Sequence, residues 1–318
     1  YGNSYMKTTS IGFIGLGNVG KKLADNLINK KNKIFLYDKN PKTYFYFKNK
    51  NVFLCKTFRE LVYNSNIIIT CLPSPVAVNN VINSLLPHIS KSHLWIEMST
   101  TDKDEMIRLS KIFKKKGGSV LECPITGGEH RAKSGNISIL ASGERKVFNK
   151  AFPILSKMGH KILYCGKIGN ASILKIITNY LASLNLLGIG EALAVSKKNN
   201  IDLGLAHKAI SISSGNSFVN ETETKVILSG SYDVGFTMDL VNKDIGLFNK
   251  LADQHNLQID LGKILQKKFK KGLNEFGSRS FSTSIVKLIE DQGRIKMRAK
   301  NFPKELIDNF PKQKGIEV

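Results

Sequence analysis

The 318-residue sequence has few cysteines, and their spacing argues against disulfide-rich and metal-binding classes of protein. Four are present, Cys55, Cys71, Cys123 and Cys165, with neither a CxxC pair nor metal-ligand spacing. This pattern argues against a disulfide-stapled domain and indicates reduced thiols in a reducing compartment. Five of the six histidines also lack metal-ligand spacing, so no metal site is predicted.

Long apolar runs are absent as well. No uninterrupted run reaches the roughly 20 residues of a membrane-spanning helix, so no membrane partner is predicted. A hydrophobic content of 42% and a charged content of 23% are typical of a globular protein, and the length allows two domains. The sequence begins at Tyr1, and residues 1–9 are interpreted as an end segment, with any targeting peptide out of view.

Acidic residues are scarce relative to basic ones, 25 against 48, which gives a formal net charge of +23. The lysines are scattered in groups of one to three and form no long basic arm. No nucleic-acid-binding motif is recognisable, so no nucleic-acid partner is predicted. The basic surface would favour the approach of anionic ligands at low ionic strength.

A glycine-rich turn near the start of the chain predicts a dinucleotide-binding site. A buried strand at 10–14 runs into a turn, a helical pattern follows, and a second strand at 33–37 ends at Asp38. In such a turn the glycines allow tight bending, close approach of the pyrophosphate and helix–strand packing. The predicted cofactor-binding residues of the turn are Gly15, Leu16, Gly17, Asn18, Val19 and Gly20.

The acidic residue that ends the second strand bears on the choice of cofactor. Asp38 can accept hydrogen bonds from both ribose hydroxyls, and its charge would repel a 2′-phosphate. The sequence therefore favours NAD over NADP. Lys39 and Lys42 lie close by and could accommodate a phosphate, so NADP stays open.

Strand and helix patterns then alternate, which predicts an α/β fold with a parallel sheet. In such sheets ligands bind outside the carboxyl ends of the strands. Three segments fall at such ends, and together they predict a ligand site: 72–74, 99–100 and 126–128. Further strands are predicted at 66–71, 94–98, 119–122, 137–141 and 161–164, with helices at 76–85 and 103–116.

The second half of the chain has no strand pattern and is predicted to be all-helical. A long helix at 170–198 joins the two halves. The predicted domains are 10–168 and 169–295, followed by a tail at 296–318, of which residues 301–318 are expected to be irregular or partly disordered. The remaining predicted helices cover 203–214, 244–255, 259–271 and 283–290.

Two polar residues interrupt the apolar pattern of the long helix. Lys175 and Asn179 are four residues apart and would share one helix face. A lysine among apolar neighbours pairs with an acid, extends its amine to solvent, or loses its charge through a lowered pKa and transfers protons. The helix alone does not distinguish these outcomes.

The order of these motifs resembles the β-hydroxyacid dehydrogenases over about residues 10–290, and within that family it is most similar to the 3-hydroxyisobutyrate dehydrogenases. The resemblance implies a Rossmann-type domain, a helical domain hung from a long interdomain helix, and a homodimer or homotetramer. It also implies reversible hydride transfer between a nicotinamide cofactor and the 3-hydroxyl carbon of a small anionic 3-hydroxy acid. The motifs that carry it are Gly12–Gly20, Leu72–Ser74, Ser99–Thr100, Pro124–Gly128 with Ser134–Asn136, Gly166–Gly169 with Lys175 and Asn179, and Lys243–Asp244.

The resemblance also implies roles for single residues. Lys175 would be the catalytic lysine, and Lys243 would contact both cofactor and substrate. The remaining substrate-binding residues would be Thr126, Gly127, Gly128 and Asn179, and the cofactor path would be lined by Leu72, Pro73 and Thr100. The sequence departs from the family pattern in ways that bear on the substrate: Thr126 for serine, Ala171 for glycine, Thr178 for asparagine, His130 for a small residue, Ser280 for an acid and Ala77 for a polar residue.

Alternative functions remain open at this point. One is an NADPH-dependent reductase of glyoxylate, succinic semialdehyde or tartronic semialdehyde, against which Asp38 argues. Another is a non-catalytic chromatin-binding relative, against which the retained Lys175 and Asn179 argue. The favoured substrate is 3-hydroxyisobutyrate, oxidised to methylmalonate semialdehyde. The resemblance implies a mitochondrial location, with the cytoplasm as the alternative.

Overall fold

A computed structural model describes residues 9–318, so the predicted end segment 1–9 lies outside the described residues except for Thr9. The chain divides into two compact units. The first unit extends to Lys175 and includes Asn309–Val318, and the second comprises Ile176–Asp308. The division therefore falls inside the long helix, a few residues after the predicted limit at 168/169.

The first unit is built on one twisted sheet. Its central strands follow the order β3-β2-β1-β4-β5-β6, all parallel, which is the strand order of a Rossmann dinucleotide-binding domain. The strands are β1 (Thr9–Ile14), β2 (Asn32–Tyr37), β3 (Phe53–Leu54), β4 (Ile67–Thr70), β5 (Leu94–Glu97), β6 (Ser119–Glu122), β7 (Ile125–Thr126), β8 (Ile137–Gly143), β9 (Gly159–Tyr164) and β10 (Ile316–Glu317).

Helices cover both faces of this sheet, so it has an apolar core on each side. Phe13 and Leu23 are buried in one core, and Trp95 and Phe113 in the other. Asp102 caps the helix after β5 by accepting the amide N–H groups of residues 104 and 105. The helices are α1 (Gly20–Asn26), α2 (Phe58–Asn64), α3 (Pro75–Leu85), α4 (Lys103–Lys115), α5 (Glu129–Ser134), α6 (Arg145–Met158) and the start of α7 (Asn170–Lys198).

The sheet differs from the predicted one at its closing edge. β8 runs antiparallel to β6 and β7, and β9 is parallel to β8, so both strands run opposite to the central parallel strands. The prediction omitted β3, β7 and β10, which have two residues each and are too short to show an alternating pattern. It also omitted α2, α5 and α6, of which the last contains Pro153.

Residues 296–315 contain no helix or strand, in keeping with the irregular tail expected there, but residues 309–318 belong to the first unit and dock on its sheet. β10 adds to the edge of the sheet in parallel with β9. Asn136 donates to the Pro311 carbonyl over 3.1 Å and accepts from the Gln313 N–H over 2.8 Å. A bidentate ion pair between Arg145 and Glu317 links the start of α6 to β10. These partners lie far apart in sequence, so composition alone could not reveal the docking.

The second unit is helical, as predicted. Its core includes Leu193, Ile227, Ile245 and Phe269. The helix α9 (Phe218–Ser229) was not predicted, because it has polar residues on much of its length and a weak apolar stripe. The first six residues of α10 (Met238–Asp253) were also missed. The elements are residues 176–198 of α7, then α8 (Leu203–Ser211), α9 (Phe218–Ser229), α10 (Met238–Asp253), α11 (Asp260–Phe276), a 3-10 turn (Ser282–Val286) and α12 (Lys287–Gly293).

Within residues 9–318, α7 is the helix that is long and apolar enough to cross a membrane by length and composition. Core helices of globular proteins meet the same criterion, so it is weak evidence on its own. Here Ala171 and Ile176 near the start are buried, and Leu186 and Leu193 belong to the core of the second unit. The helix is used as a structural element of both units.

Candidate functional site

The glycine turn between β1 and α1 has the shape that a dinucleotide needs. Gly15 has φ +96°, and a side chain there would collide with the Cys71 carbonyl. A Cβ on Gly20 would collide with the Gly15 carbonyl, so this glycine permits the close packing of helix on turn. Gly17 is exposed, with nothing within 4 Å of an added Cβ. The turn therefore leaves open space beside the backbone of Gly17, where a pyrophosphate could approach.

Asp38 lies at the carboxyl end of β2 and faces the same turn. Its Oδ2 accepts the Leu16 N–H over 2.6 Å, and its Oδ1 accepts the Asn40 N–H over 2.7 Å. These two hydrogen bonds fix the orientation of the carboxylate. It supports the glycine turn and also faces the side of the turn on which the cofactor would bind. A carboxylate has further lone pairs, so these two bonds leave it able to accept from ribose hydroxyls.

The loops after β4 and β5 are joined to each other. The Leu72 N–H donates to Ser99 Oγ over 2.7 Å, and the Ser99 N–H donates to Glu97 over 2.5 Å. Leu72, Pro73 and Thr100 thus lie on adjacent loops at the carboxyl edge of the sheet, beside the glycine turn after β1. The structure brings the predicted cofactor residues of the first unit to one edge.

The predicted carboxylate-binding segment follows β6 and is strongly bent. Gly127 has φ +122° and Gly128 has φ +86°, conformations that side-chain-bearing residues rarely adopt. Thr126 ends β7 and is partly exposed, so the segment has both access and exposed backbone. The ring of His130 lies 3.0 Å from the position of a Gly128 Cβ, which places it beside the segment.

Two buried glutamates end adjacent strands beneath these loops, and the sequence prediction missed both. Glu97 and Glu122 are paired in register on β5 and β6. Burial raises the pKa of Glu97 to about 7, although hydrogen bonds from Ser99 and Thr70 act in the opposite direction. Burial also raises the pKa of Glu122, and bonds from Ser172 and Gly169 oppose this. In the sequence, each of these glutamates could have been recognised as a single acidic residue at the end of an apolar strand.

Lys175 is the last residue of the first unit and only 6% exposed. It lies in the second turn of α7, whose first turn is held by Glu122 and by Ser142, which accepts the Ala171 N–H over 2.9 Å. A lysine this deeply buried does not extend its amine freely into solvent. Of the three outcomes that the sequence left open, the solvent-directed one is therefore excluded.

The second unit contributes a cluster on α7 and α10. Asn179 donates to Asp244 Oδ2 over 2.6 Å, and Lys243 Nζ lies 3.1 Å from Asp244 Oδ1. Asp244 is 1% exposed, and its Oδ1 receives the ion pair without hydrogen-bond geometry. Asn179 and Lys243 therefore both contact the carboxylate of Asp244. The sequence prediction quoted Asp244 within a motif but gave it no role.

Among residues 9–318, no group of three or more histidine, cysteine, aspartate or glutamate side chains could hold a metal ion. The four cysteines, all within the described residues, form no disulfide, and burial raises the pKa of Cys55 to about 11.

Comparisons with known proteins extend this picture. Residues 10–166 match the family model of the NAD-binding domain of 6-phosphogluconate dehydrogenase. Residues 169–289 match the model described as the NAD-binding domain of NADP-dependent 3-hydroxyisobutyrate dehydrogenase. The chain belongs to the β-hydroxyacid dehydrogenase family. Like its relatives, it is an NAD(P)-dependent oxidoreductase of hydroxy acids.

Similar proteins cover nearly the whole chain. The mitochondrial 3-hydroxyisobutyrate dehydrogenase of Rattus norvegicus is 29% identical over 299 residues, which cover 91% of this chain and 89% of the relative. The 2-(hydroxymethyl)glutarate dehydrogenase of Eubacterium barkeri is 28% identical, with coverage of 89% and 96%. The Mycobacterium tuberculosis 3-hydroxyisobutyrate dehydrogenase with L-serine has a TM-score of 0.81 at 22% identity, with coverage of 89% and 99%, which supports the fold.

Proposed function

We propose that this hydroxyacid dehydrogenase oxidises 3-hydroxyisobutyrate to methylmalonate semialdehyde and uses NAD in preference to NADP. The observation that carries the proposal is the burial of Lys175 on a helix whose next turn bears Asn179, itself held by Asp244. The names of several relatives support the substrate, and the orientation of Asp38 toward the glycine turn supports NAD. The same relatives support a mitochondrial location.

Residues of the first unit would bind the cofactor and carry out the proton transfer. The backbone of Gly15–Gly20 would hold the pyrophosphate and Asp38 the ribose of NAD, which would supply the hydride acceptor for oxidation at the substrate's hydroxymethyl carbon. Lys175 Nζ would take the hydroxyl proton during oxidation and return it during reduction. The N–H groups of Thr126, Gly127 and Gly128 would bind the carboxylate, because glycine allows a ligand to reach the backbone.

Residues of the second unit would orient the substrate. The Asn179 amide would hydrogen-bond the substrate, with Asp244 fixing the direction in which its NH₂ group points. Lys243 would contact both cofactor and substrate with a positive charge that suits two anionic partners. Asp244 would hold that amine in place through the ion pair.

Replacing the lysine tests this assignment. Lys175→Ala should lower kcat by about 10²–10⁴-fold, the usual contribution of a general acid–base, while the Kd of NADH changes less than about twofold. Lys198→Ala, on an exposed residue of the same helix, is the matched control and should keep wild-type turnover. If Lys175→Ala kept more than a tenth of wild-type kcat, the role assigned to Lys175 would be wrong.

A panel of short 3-hydroxy acids, each assayed with NAD and with NADP, tests the substrate and the cofactor. We expect the highest kcat/KM with 3-hydroxyisobutyrate and NAD. A second candidate is a dicarboxylic substrate of the 2-(hydroxymethyl)glutarate type. It is favoured by the relative of that name and by His130, a basic side chain beside the proposed carboxylate-binding segment. A higher kcat/KM with 2-(hydroxymethyl)glutarate would establish that candidate instead.

Assembly into a homodimer or homotetramer is part of the same proposal. Large apolar side chains are exposed on the helices, among them Leu181 and Val195 on α7 and Leu205 and Ile212 at α8. Exposed apolar surface of this kind commonly marks contacts between protein chains. Sedimentation equilibrium should give a mass of two or four times 35.4 kDa, and a monomer at micromolar concentration would contradict the proposal.

A further inference from the structure

Glu122 accepts the free N–H groups at the start of α7. Its Oε2 accepts the Gly169 N–H over 2.7 Å, and its Oε1 accepts the Ser172 N–H over 2.6 Å together with the Ser172 hydroxyl. The first N–H groups of a helix have no partner within the helix and carry its positive dipole end. The carboxylate therefore meets both the hydrogen-bonding need and the charge of this helix end.

The same residue is linked to both parts of the proposed site in the first unit. Along the chain it ends β6, four residues before Thr126 and the bent Gly127-Gly128 segment. Across space it holds Ser172, which precedes Lys175 by one helical turn. One buried side chain thus joins the strand that leads to the carboxylate-binding segment and the turn that leads to the lysine.

We propose that Glu122 is a positioning residue that fixes the catalytic lysine relative to the substrate's carboxylate. It does so by clamping the first turn of α7 onto the end of β6. This inference rests on the roles proposed above for Lys175 and for Thr126–Gly128. Glu122 itself does not touch the substrate and acts through the backbone on either side.

The chemistry of the clamp favours a carboxylate over an amide. Each oxygen of Glu122 faces a backbone N–H, so an NH₂ group in place of either oxygen would face a donor. Hydrogen bonds to an ionised acceptor are about twice as strong as those between neutral groups. A buried carboxylate that lacks such donors costs much free energy. Glu122 is therefore stable in its buried position only while these hydrogen bonds are made.

A neighbouring side chain provides a matched control. Ser142 is buried and accepts the Ala171 N–H in the same turn, but it is neutral, and on β8 it lies opposite Glu122 in the antiparallel pairing with β6. Removing its hydroxyl takes one hydrogen bond from α7 but leaves the backbone pairing of β8 with β6 and the hydrogen bonds of Glu122 in place. The comparison separates general weakening of the helix end from loss of the link between the helix and β6.

The test compares Glu122→Gln with Ser142→Ala and with the wild type. The readouts are kcat and KM for the hydroxy acid, the Kd of NADH, and the amide hydrogen-exchange rates of residues 169–175. For Glu122→Gln we expect kcat to fall about 30-fold, because small misplacements of reacting groups are costly. The Kd of NADH should stay within about twofold, and exchange at Gly169 and Ser172 should accelerate at least about tenfold. Ser142→Ala should lower kcat by less than about threefold.

Two results would overturn the proposal. One is faster exchange in Glu122→Gln with kcat within about threefold of wild type, which would make the clamp purely structural. The other is a large loss of kcat without faster exchange, which would mean that Glu122 does not act through the helix. If Glu122→Gln does not fold, Ser172→Ala replaces it, and an equal loss of kcat in Ser172→Ala and Ser142→Ala counts against the proposal.

Failure of the proposed function gives a different result. The wild type would then show no turnover on any hydroxy acid in the panel, although it binds NADH. In that case the exchange rates still decide whether Glu122 clamps the turn. Unchanged exchange in Glu122→Gln overturns the inference whatever the substrate is.

Discussion

The two units hold their proposed site residues in different ways. In the first unit the site is largely backbone: a glycine turn, two strand-end loops and a bent segment with Gly127 and Gly128 at positive φ. In the second unit it consists of side chains that hold each other, since Asn179 and Lys243 both meet Asp244. Backbone sites depend on which residues can adopt a conformation, whereas side-chain sites depend on partners distant in sequence.

The largest effect is expected from alanine substitutions in the glycine turn, where Gly17 should affect cofactor binding and Gly20 should affect stability. Gly17→Ala adds a Cβ into open space, so the free energy of unfolding should stay within about 0.5 kcal/mol of wild type. Because that space is assigned to the pyrophosphate, the Kd of NADH should rise about 100-fold, measured by fluorescence titration. Gly20→Ala forces a collision with the Gly15 carbonyl and should cost about 2–3 kcal/mol of stability.

Unchanged NADH binding in Gly17→Ala would contradict this account of the first unit. If Gly17→Ala bound NADH as tightly as wild type, the open space beside Gly17 would not be the pyrophosphate site. Thermal unfolding without cofactor separates the two effects, because only Gly20→Ala should lower Tm in the absence of NADH.

This difference explains how much could be predicted from the sequence. The glycine turn, Asp38 and the strand-end loops were predicted because local residue types dictate turns, and adjacent parallel strands bring their ends together. The fold class and helical second half were confirmed for the same reason. The role of Asp244 was not predicted, because its partner Asn179 lies 65 residues away.

The other omissions have the same cause. Glu122 contacts residues about 50 positions later, so nothing near it in the sequence marks its role. The docking of residues 309–318 depends on Asn136 and β9, more than 150 residues earlier. Where a feature depends on long-range side-chain pairing, periodicity and motif spacing carry no information about it.

A smaller effect is expected from Asp244 in the second unit. Asp244→Ala removes the acceptor for Asn179 and the charge beside Lys243, so kcat/KM for the hydroxy acid should fall about 30-fold, or about 2 kcal/mol. Asp244→Asn keeps one oxygen for the Asn179 amide and should lose only about fivefold. Steady-state kinetics at saturating NAD provide the measurement.

Asp239→Asn is the control, because Asp239 lies on the same helix in an exposed ion pair with Arg279. It should leave kcat/KM within about twofold of wild type. Equal losses in Asp239→Asn and Asp244→Ala would mean that α10 responds to any lost carboxylate, and the side-chain cluster would lose its assigned role.

The smallest effect concerns a carboxyl group of the second unit that serves neither site. Glu223 lies on α9, its Oε2 is buried without a hydrogen-bond partner, and burial raises its pKa to about 8. The folded state therefore retains a proton that the unfolded chain releases near pH 4.5, so this group makes stability fall as pH rises from about 4.5 to 8.

Glu223→Gln removes that ionisation, so the variant should be more stable than wild type by about 1–2 kcal/mol at pH 8.5 and nearly equal to it at pH 5. Urea unfolding at both pH values measures the difference. Glu221→Gln, on an exposed residue of the same helix, should show the same offset from wild type at both values, because this side chain lies at the surface and folding does not bury it. A Glu223→Gln variant less stable than wild type at pH 8.5 would show instead that the Glu223 carboxylate is stabilised in the folded state.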